Sequence, residues 1–182
     1  MILDDSQCIS EITNKDLETI SSPKSRIRLV FIFSVGEIPK EQLLATLARN
    51  FKLLKGLDLQ DAPLDEIHED VGNLLHLRYL IPGVKIQGGI GHLEELQTLH
   101  FVEANEDLNK ELENLRQLRK LGIKNLKKEH GKAFCTAIEM MNHLQSLVVY
   151  KAIDGDGILD LHSLSSVPES LQHLNLNGRL GT

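Results

Sequence analysis

The sequence is short of the residues that most small folds use as staples or anchors. Tryptophan is absent, aromatics make up 4% of the 182 residues, and there are two cysteines, Cys8 and Cys135. A core without tryptophan and with few other rings must be aliphatic, and leucine dominates the apolar residues. Two cysteines make no disulfide framework and fit a reduced, intracellular setting. No run of about 18 apolar residues occurs, so no stretch reads as a membrane-spanning helix. The opening MILDDSQCISEI has no basic flank before an apolar stretch, which argues against a secretory signal. No Asn-x-Ser/Thr acceptor is present. The net charge of −6 argues against a general affinity for nucleic acid.

Chemistry-bearing patterns are equally scarce. The eight histidines are scattered, with no H-x-x-x-H or C-x-x-C pair to hold a metal. Cys135 and His130 stand five residues apart on a helical pattern with no orienting third group, so Cys135 reads as a small core residue. The DGDG at 154–157 is followed by Ile158 and Asp160, without the closing glutamate of a calcium loop. The GGIG at 88–91 lacks the strand–helix setting of a dinucleotide loop. These readings predict no enzyme, no cofactor and no metal.

What the chain does have is a recurring leucine spacing. In LKGLDLQDAPLDEI, Leu54, Leu57 and Leu59 are followed by Leu64 and Ile67. The same offsets return as Leu77 and Leu80 (with Pro82 third), Leu96/Leu99/Phe101, Leu118/Leu121/Ile123, Leu144/Leu147/Val149 and Leu171/Leu174/Leu176. Upstream, Ile27/Val30/Ile32 fits as well, and 20 of these 21 positions are apolar. First positions advance by 27, 23, 19, 22, 26 and 27 residues. A period of roughly 20–29 residues with L-x-x-L-x-L is the frame of a leucine-rich repeat. Alternation in L-x-L is strand geometry, with two side chains inward and the residue between them outward. Leu64, Ile67 and Val71 would then return to the same core from the far wall. One coil cannot bury that face, but stacked coils can.

The predicted fold is therefore an α/β solenoid: a curved parallel sheet on the concave side, helices and irregular turns on the convex side. Helical walls are expected over 39–51, 105–115 and 130–144, the last with Phe134, Ile138, Met141 and Leu144 on one stripe. Residues 154–164 read as a turn and a short wall segment. The Asn/Cys position of the frame holds Ala62, Leu126 or Gly178, so no asparagine ladder is expected. The 19-residue step, with Pro82 and Gly83, Gly88, Gly89 and Gly91, predicts a weak or kinked coil that lacks a strand donor, with flexibility beside it. Residues 1–22 read as an acidic segment that caps the array or lies disordered, and 23–182 as about seven coils. The last coil, ending in NLNGRLGT, carries no capping pattern, which suggests part of a longer array or one that pairs with something.

From residue 50 onward the wording becomes specific. NFKLLKGLDLQDAPLDEIHEDVGNLLHLRYL, IGHLEELQTL, LRQLRKLGI, CTAIEMMNHLQSL and LDLHSLSSVPESLQHLNLNGRL resemble the leucine-rich repeats of plant intracellular immune receptors of the coiled-coil/nucleotide-binding class. The resemblance spans about residues 25–180. It departs at His68, where that family usually has proline, and around YLIPGVKI, which is shorter than usual. No G-x-x-x-x-G-K-[ST] occurs, so nucleotide binding is not carried over. The resemblance implies a recognition domain that senses pathogen effectors or restrains a signalling module. Expected partners are an effector, a guarded host protein or a nucleotide-binding module, with no nucleic acid and no small-molecule substrate. The implied location is cytoplasmic, membrane-peripheral or nuclear. The alternative is a leucine-rich-repeat scaffold or signalling adaptor with no immune role.

By the frame, the outward slots hold Tyr79, Ile81, His100, Val102, Glu103, Lys120, Lys124, Val148, Tyr150, Lys151, His173, Asn175 and Asn177. These thirteen are the candidate contact residues. Tyr79 and Tyr150 are the chain's two tyrosines, a residue type favoured at interfaces. Leu29, Phe31 and Phe33 make both faces of the first strand apolar, so a cover over them is expected. Charge is segregated too: six acids lie between Asp58 and Asp70 with no base, whereas Lys110–Lys132 carries a net +5. These are either solvated surfaces or a polar face that docks a partner.

Overall fold

Each repeat begins with the same turn. The N–H of the first leucine donates to the carbonyl three residues earlier: Leu54 to Phe51, Leu77 to Leu74, Leu96 to Leu93, Leu118 to Leu115, Leu144 to Met141 and Leu171 to Pro168. The turn swings the chain into a strand, and a second invariant contact sets the distance to the previous coil. The carbonyl of Arg28 accepts from Lys55 and Gly56, that of Lys55 from Arg78 and Tyr79, and that of Arg78 from Gln97 and Thr98. Gln97, Arg119 and Gln145 continue the series. Backbone groups thus carry the repetition, and the leucines only have to fill it.

The computed structural model describes residues 6–9, 27–32, 43–151, 158–159, 164–177 and 179–180. Its strands are β1 (Ser6–Ile9), β2 (Leu29–Ile32), β3 (Gly56–Asp58), β4 (Glu66–Ile67), β5 (Tyr79–Ile81), β6 (Lys85–Ile86), β7 (Thr98–Glu103), β8 (Lys120–Leu126), β9 (Ser146–Lys151), β10 (Ile158–Leu159), β11 (His173–Asn177) and β12 (Arg179–Leu180). The main sheet runs β1-β2-β3-β5-β7-β8-β9-β11, with every neighbour parallel. The wall opposite carries helices α1 (Leu43–Asn50), α2 (Glu106–Leu112) and α3 (Lys128–Glu139) and two small parallel pairs, β4–β6 and β10–β12. It also carries 3₁₀ turns at Glu69–Asn73 and Ile90–His92.

One register row runs through the middle of the sheet. Val30, Leu57, Leu80, Leu99, Leu121 and Leu147 are paired strand to strand and each is at most 4% exposed. From the far wall, Leu64, Ile67 and Val71 close on the same cluster, as do Phe134, Ile138 and Met141. At about 25 cal/mol per Å² of apolar area removed from water, this shared interior is the dominant stabilising term. Leu174 continues the row beside Leu147 on the edge strand, where it is 51% exposed.

Several expectations change. The wall helix expected over 130–144 occupies Lys128–Glu139, and Met141 and Leu144 belong instead to the turn that opens the next strand. Of the helix expected over 39–51, residues 43–50 are described. The glycine-rich coil is thin, but it has a strand: β5 pairs on both sides, with Leu80 between Leu57 and Leu99. Its glycines serve close stacking. Gly89 has φ +86°, and a Cβ there would lie 2.2 Å from the Glu69 carbonyl oxygen of the coil before it. The His68 ring accepts from the Asp70 N–H and caps the 3₁₀ turn. The expected turn at 154–157, the residue Phe33 and most of the segment 1–22 lie outside the described residues, as does Gly178. Within that segment, β1 pairs in parallel with β2 at the sheet's edge.

Candidate functional site

The outward face of the sheet is narrow at one end and broad at the other. β3 and β5 have three residues each, whereas β7, β8 and β9 have six, seven and six. The broad part carries an irregularity that the leucine frame did not reveal. Phe101 adopts φ +56°, and the β7–β8 register shifts between Leu99 and Val102. One extra residue is thereby looped out of the ladder, as in a β-bulge.

The bulge reverses the two residues that follow His100. Val102, expected outward, is 0% exposed and joins the core opposite Ile123. Phe101, expected inward, leaves the core and stacks on Tyr150, with ring centroids 5.4 Å apart and planes 18° from parallel. His100 meets the Phe101 ring edge-on at 4.4 Å. A left-handed conformation at a non-glycine residue costs about 1–3 kcal/mol. Here burial of Val102 and the ring contacts offset it.

Strand β8 runs between these partners, since Phe101 lies on β7 and Tyr150 on β9. Two strand spacings separate them, about 10 Å. On β8, Gly122 makes room for the His100 ring: a Cβ at that position would fall 2.3 Å from His100 Cδ2. Val148 is paired beside it. Sequence reasoning missed Gly122 and misplaced Phe101. A glycine in an outward slot between two outward aromatics was the available signal.

The remaining candidates fall into smaller groups. Tyr79 is half-buried next to Gly56, whose missing side chain leaves room for Leu29. Burial and the negative charge of Asp58 raise the Tyr79 phenol, which stays protonated. Ile81 holds the outward position across from Asp58, yet it is 8% exposed and offers little surface. Glu103 and Lys124 are register partners whose charged ends lie 3.5 Å apart, and Lys124 Nζ also donates to the Gly83 carbonyl. That pair is satisfied within the chain. Lys120, His173, Asn175 and Asn177 are exposed. Lys151 lies on β9, paired with Leu126, but its side chain is outside the described residues. Burial pushes the His100 imidazole below the ordinary histidine range, so the ring is neutral at neutral pH.

Asparagine also has a place that the frame did not anticipate. With the bulge counted, Asn105 follows Val102 by three residues and occupies the turn. Its side chain donates to the Ile86 carbonyl of the previous coil at 2.9 Å and accepts from the Leu108 N–H at 2.7 Å. It thus caps α2 and ties two coils together.

A family model described as a leucine-rich repeat region matches residues 33–181. The chain belongs to the leucine-rich-repeat family. A solved structure of a leucine-rich-repeat protein from Leptospira interrogans superposes with a TM-score of 0.54 at 17% identity. The match covers 92% of this chain and 40% of that one, so this chain spans less than half of its relative. At that identity the likeness shows the fold. No curated relative matches the chain. Leucine-rich-repeat arrays are typically interaction scaffolds, which implies protein partners for this one. Among the described residues, no helix is long and apolar enough to cross a membrane, and no three His, Cys, Asp or Glu residues gather around a possible metal position.

Proposed function

We propose that this leucine-rich-repeat array recognises a protein partner on the concave face, without catalysis, through the Phe101–Tyr150 cluster. The observation that supports this is the Phe101–Tyr150 stack, met edge-on by His100. Aromatic side chains already fixed by one another lose little freedom on binding and bring large apolar area, the profile of an interface anchor. Lys120 stands exposed on β8, between the strands that carry the two rings, whereas Glu103 and Lys124 neutralise each other.

The wording of residues 50–80 and of the later repeats supports a finer reading. The array serves plant innate immunity as the recognition part of a coiled-coil-class receptor or of a receptor-like protein. Its partner is then a pathogen effector, a guarded host protein or a nucleotide-binding module, met in the cytoplasm.

The test begins with a partner crosslinked to the wild-type array in plant extract and then purified. Phe101→Ala with Tyr150→Ala should weaken its affinity by about 2 kcal/mol or more, roughly thirtyfold. Exchange of the exposed convex residue Arg116 for alanine should leave it unchanged. Equal affinity for all three proteins moves the contact off the concave face. A partner that is neither an effector, a guarded host protein nor a nucleotide-binding module favours the adaptor role.

A further inference from the structure

Helices α2 and α3 pack side by side on the convex wall. Between them lies a cleft of about 530 Å³, a size within the range used for small ligands and short peptides. Glu106 and Asn109 of helix α2 and Glu113, which caps its C-terminus, line it and share one face by their spacing. Helix α3 lines it with Glu129, His130 and Lys132.

Asn109 is the anomaly. It is 4% exposed, and neither its Nδ2 nor its Oδ1 has a hydrogen-bond partner. Buried polar atoms are almost always paired, because an unpaired one forfeits its hydration without compensation. A leucine of similar size would avoid that loss entirely, so the carboxamide makes sense only with a partner from outside the chain. Its chemistry names the partner. A carboxamide presents a donor and an acceptor side by side, which one residue of an extended main chain complements, because its N–H and C=O point to the same side. The walls carry glutamates and lysines together, so they suit neither a polyanion nor a polycation.

We propose that the α2–α3 cleft binds an extended polypeptide segment, in which the main-chain N–H and C=O of one residue pair with the Asn109 carboxamide, the N–H donating and the C=O accepting. Flanking side chains of the segment, one basic and one acidic, meet Glu106 or Glu113 and Lys132. Rotation of the long side chains one turn away from Asn109 admits it. The site lies on the wall opposite the sheet, so it stands whether or not the concave face binds a partner.

The probe is acetyl-Lys-Ala-Glu methylamide, titrated into the ¹⁵N-labelled full chain. A second probe has the Lys–Ala peptide bond replaced by an ester, which removes the alanine N–H. The Asn109 side-chain NH₂ signals should shift saturably with the amide, and the ester should bind roughly tenfold more weakly. Asn109→Leu should lose the binding while remaining folded. If that variant does not fold, the amide–ester comparison on the native chain decides. Absence of a saturable shift at Asn109, or equal affinity for the two probes, overturns the proposal. So does a persistent water contact to the Asn109 NH₂ at saturation, because the amide's partner is then water.

Discussion

The coil that starts at Leu77 and the coil that starts at Leu118 solve one problem in two ways. Both supply a leucine to the same inner row, Leu80 and Leu121. The first returns along its outer wall through a two-residue strand, β6, and a three-residue 3₁₀ turn. The second returns through the twelve residues of α3. Backbone contacts at the strand entrance are identical in both. The inner wall therefore sets the spacing, and the outer wall absorbs every change in repeat length. The difference matters on the binding side. Thin coils carry three-residue strands with little outward surface. Thick coils carry strands long enough for bulges, and the positive-φ non-glycine positions among the described residues, Phe101 and Asn125, occur there.

The largest expected effect tests whether both halves share one interior. Leu57→Ala and Leu99→Ala should each cost about 2–5 kcal/mol in urea unfolding, because both side chains are 0% exposed. A small cost at Leu57 alone would show that the thin coils unfold separately. Next come the two glycines. Gly89→Ala places a Cβ against the Glu69 backbone at a positive φ, which costs about 1–3 kcal/mol. Gly122→Ala meets a histidine ring that can rotate away. Its stability loss should be the smaller of the two, but the His100–Phe101–Tyr150 cluster should break up, as ring NOEs would show. If the order is reversed, the close stacking assigned to the thin coil is wrong.

Asn105→Ala removes a helix cap and a link between coils of unlike thickness, and should cost about 1 kcal/mol by the same unfolding measurement. The smallest effect is electrostatic. The His100 imidazole should titrate below about 6.5 by NMR. With the folded pKa depressed, the unfolded chain binds more protons, so this residue's contribution is present above the ordinary histidine pKa and is lost as pH falls. Phe101→Ala should return the titration toward the ordinary value by exposing the ring.

Much of this was legible before any coordinates. The leucine offsets placed the inner row from Val30 to Leu147, and the returns at Leu64, Ile67 and Val71 placed the far wall. Tyr79, Lys120, Val148, Tyr150, His173, Asn175 and Asn177 were assigned to outward slots, and their register positions agree. The failures sit together. Val102 and Phe101 were exchanged, and Asn105, read only as the start of a helix, was not seen as the turn asparagine that ties two coils, all for one reason. Counting along a strand assumes one residue per rung, and a bulge spends two.

The chain by itself determined the repeat, the aliphatic interior and the parallel inner row, because burial of evenly spaced leucines admits one stacking solution. Where the bulge falls, and hence which ring stands outside the core, was decided only in three dimensions. A left-handed Phe101 is unfavourable alone; it becomes stable once Val102 is buried in its place and Tyr150, two strands away, offers a surface for its ring.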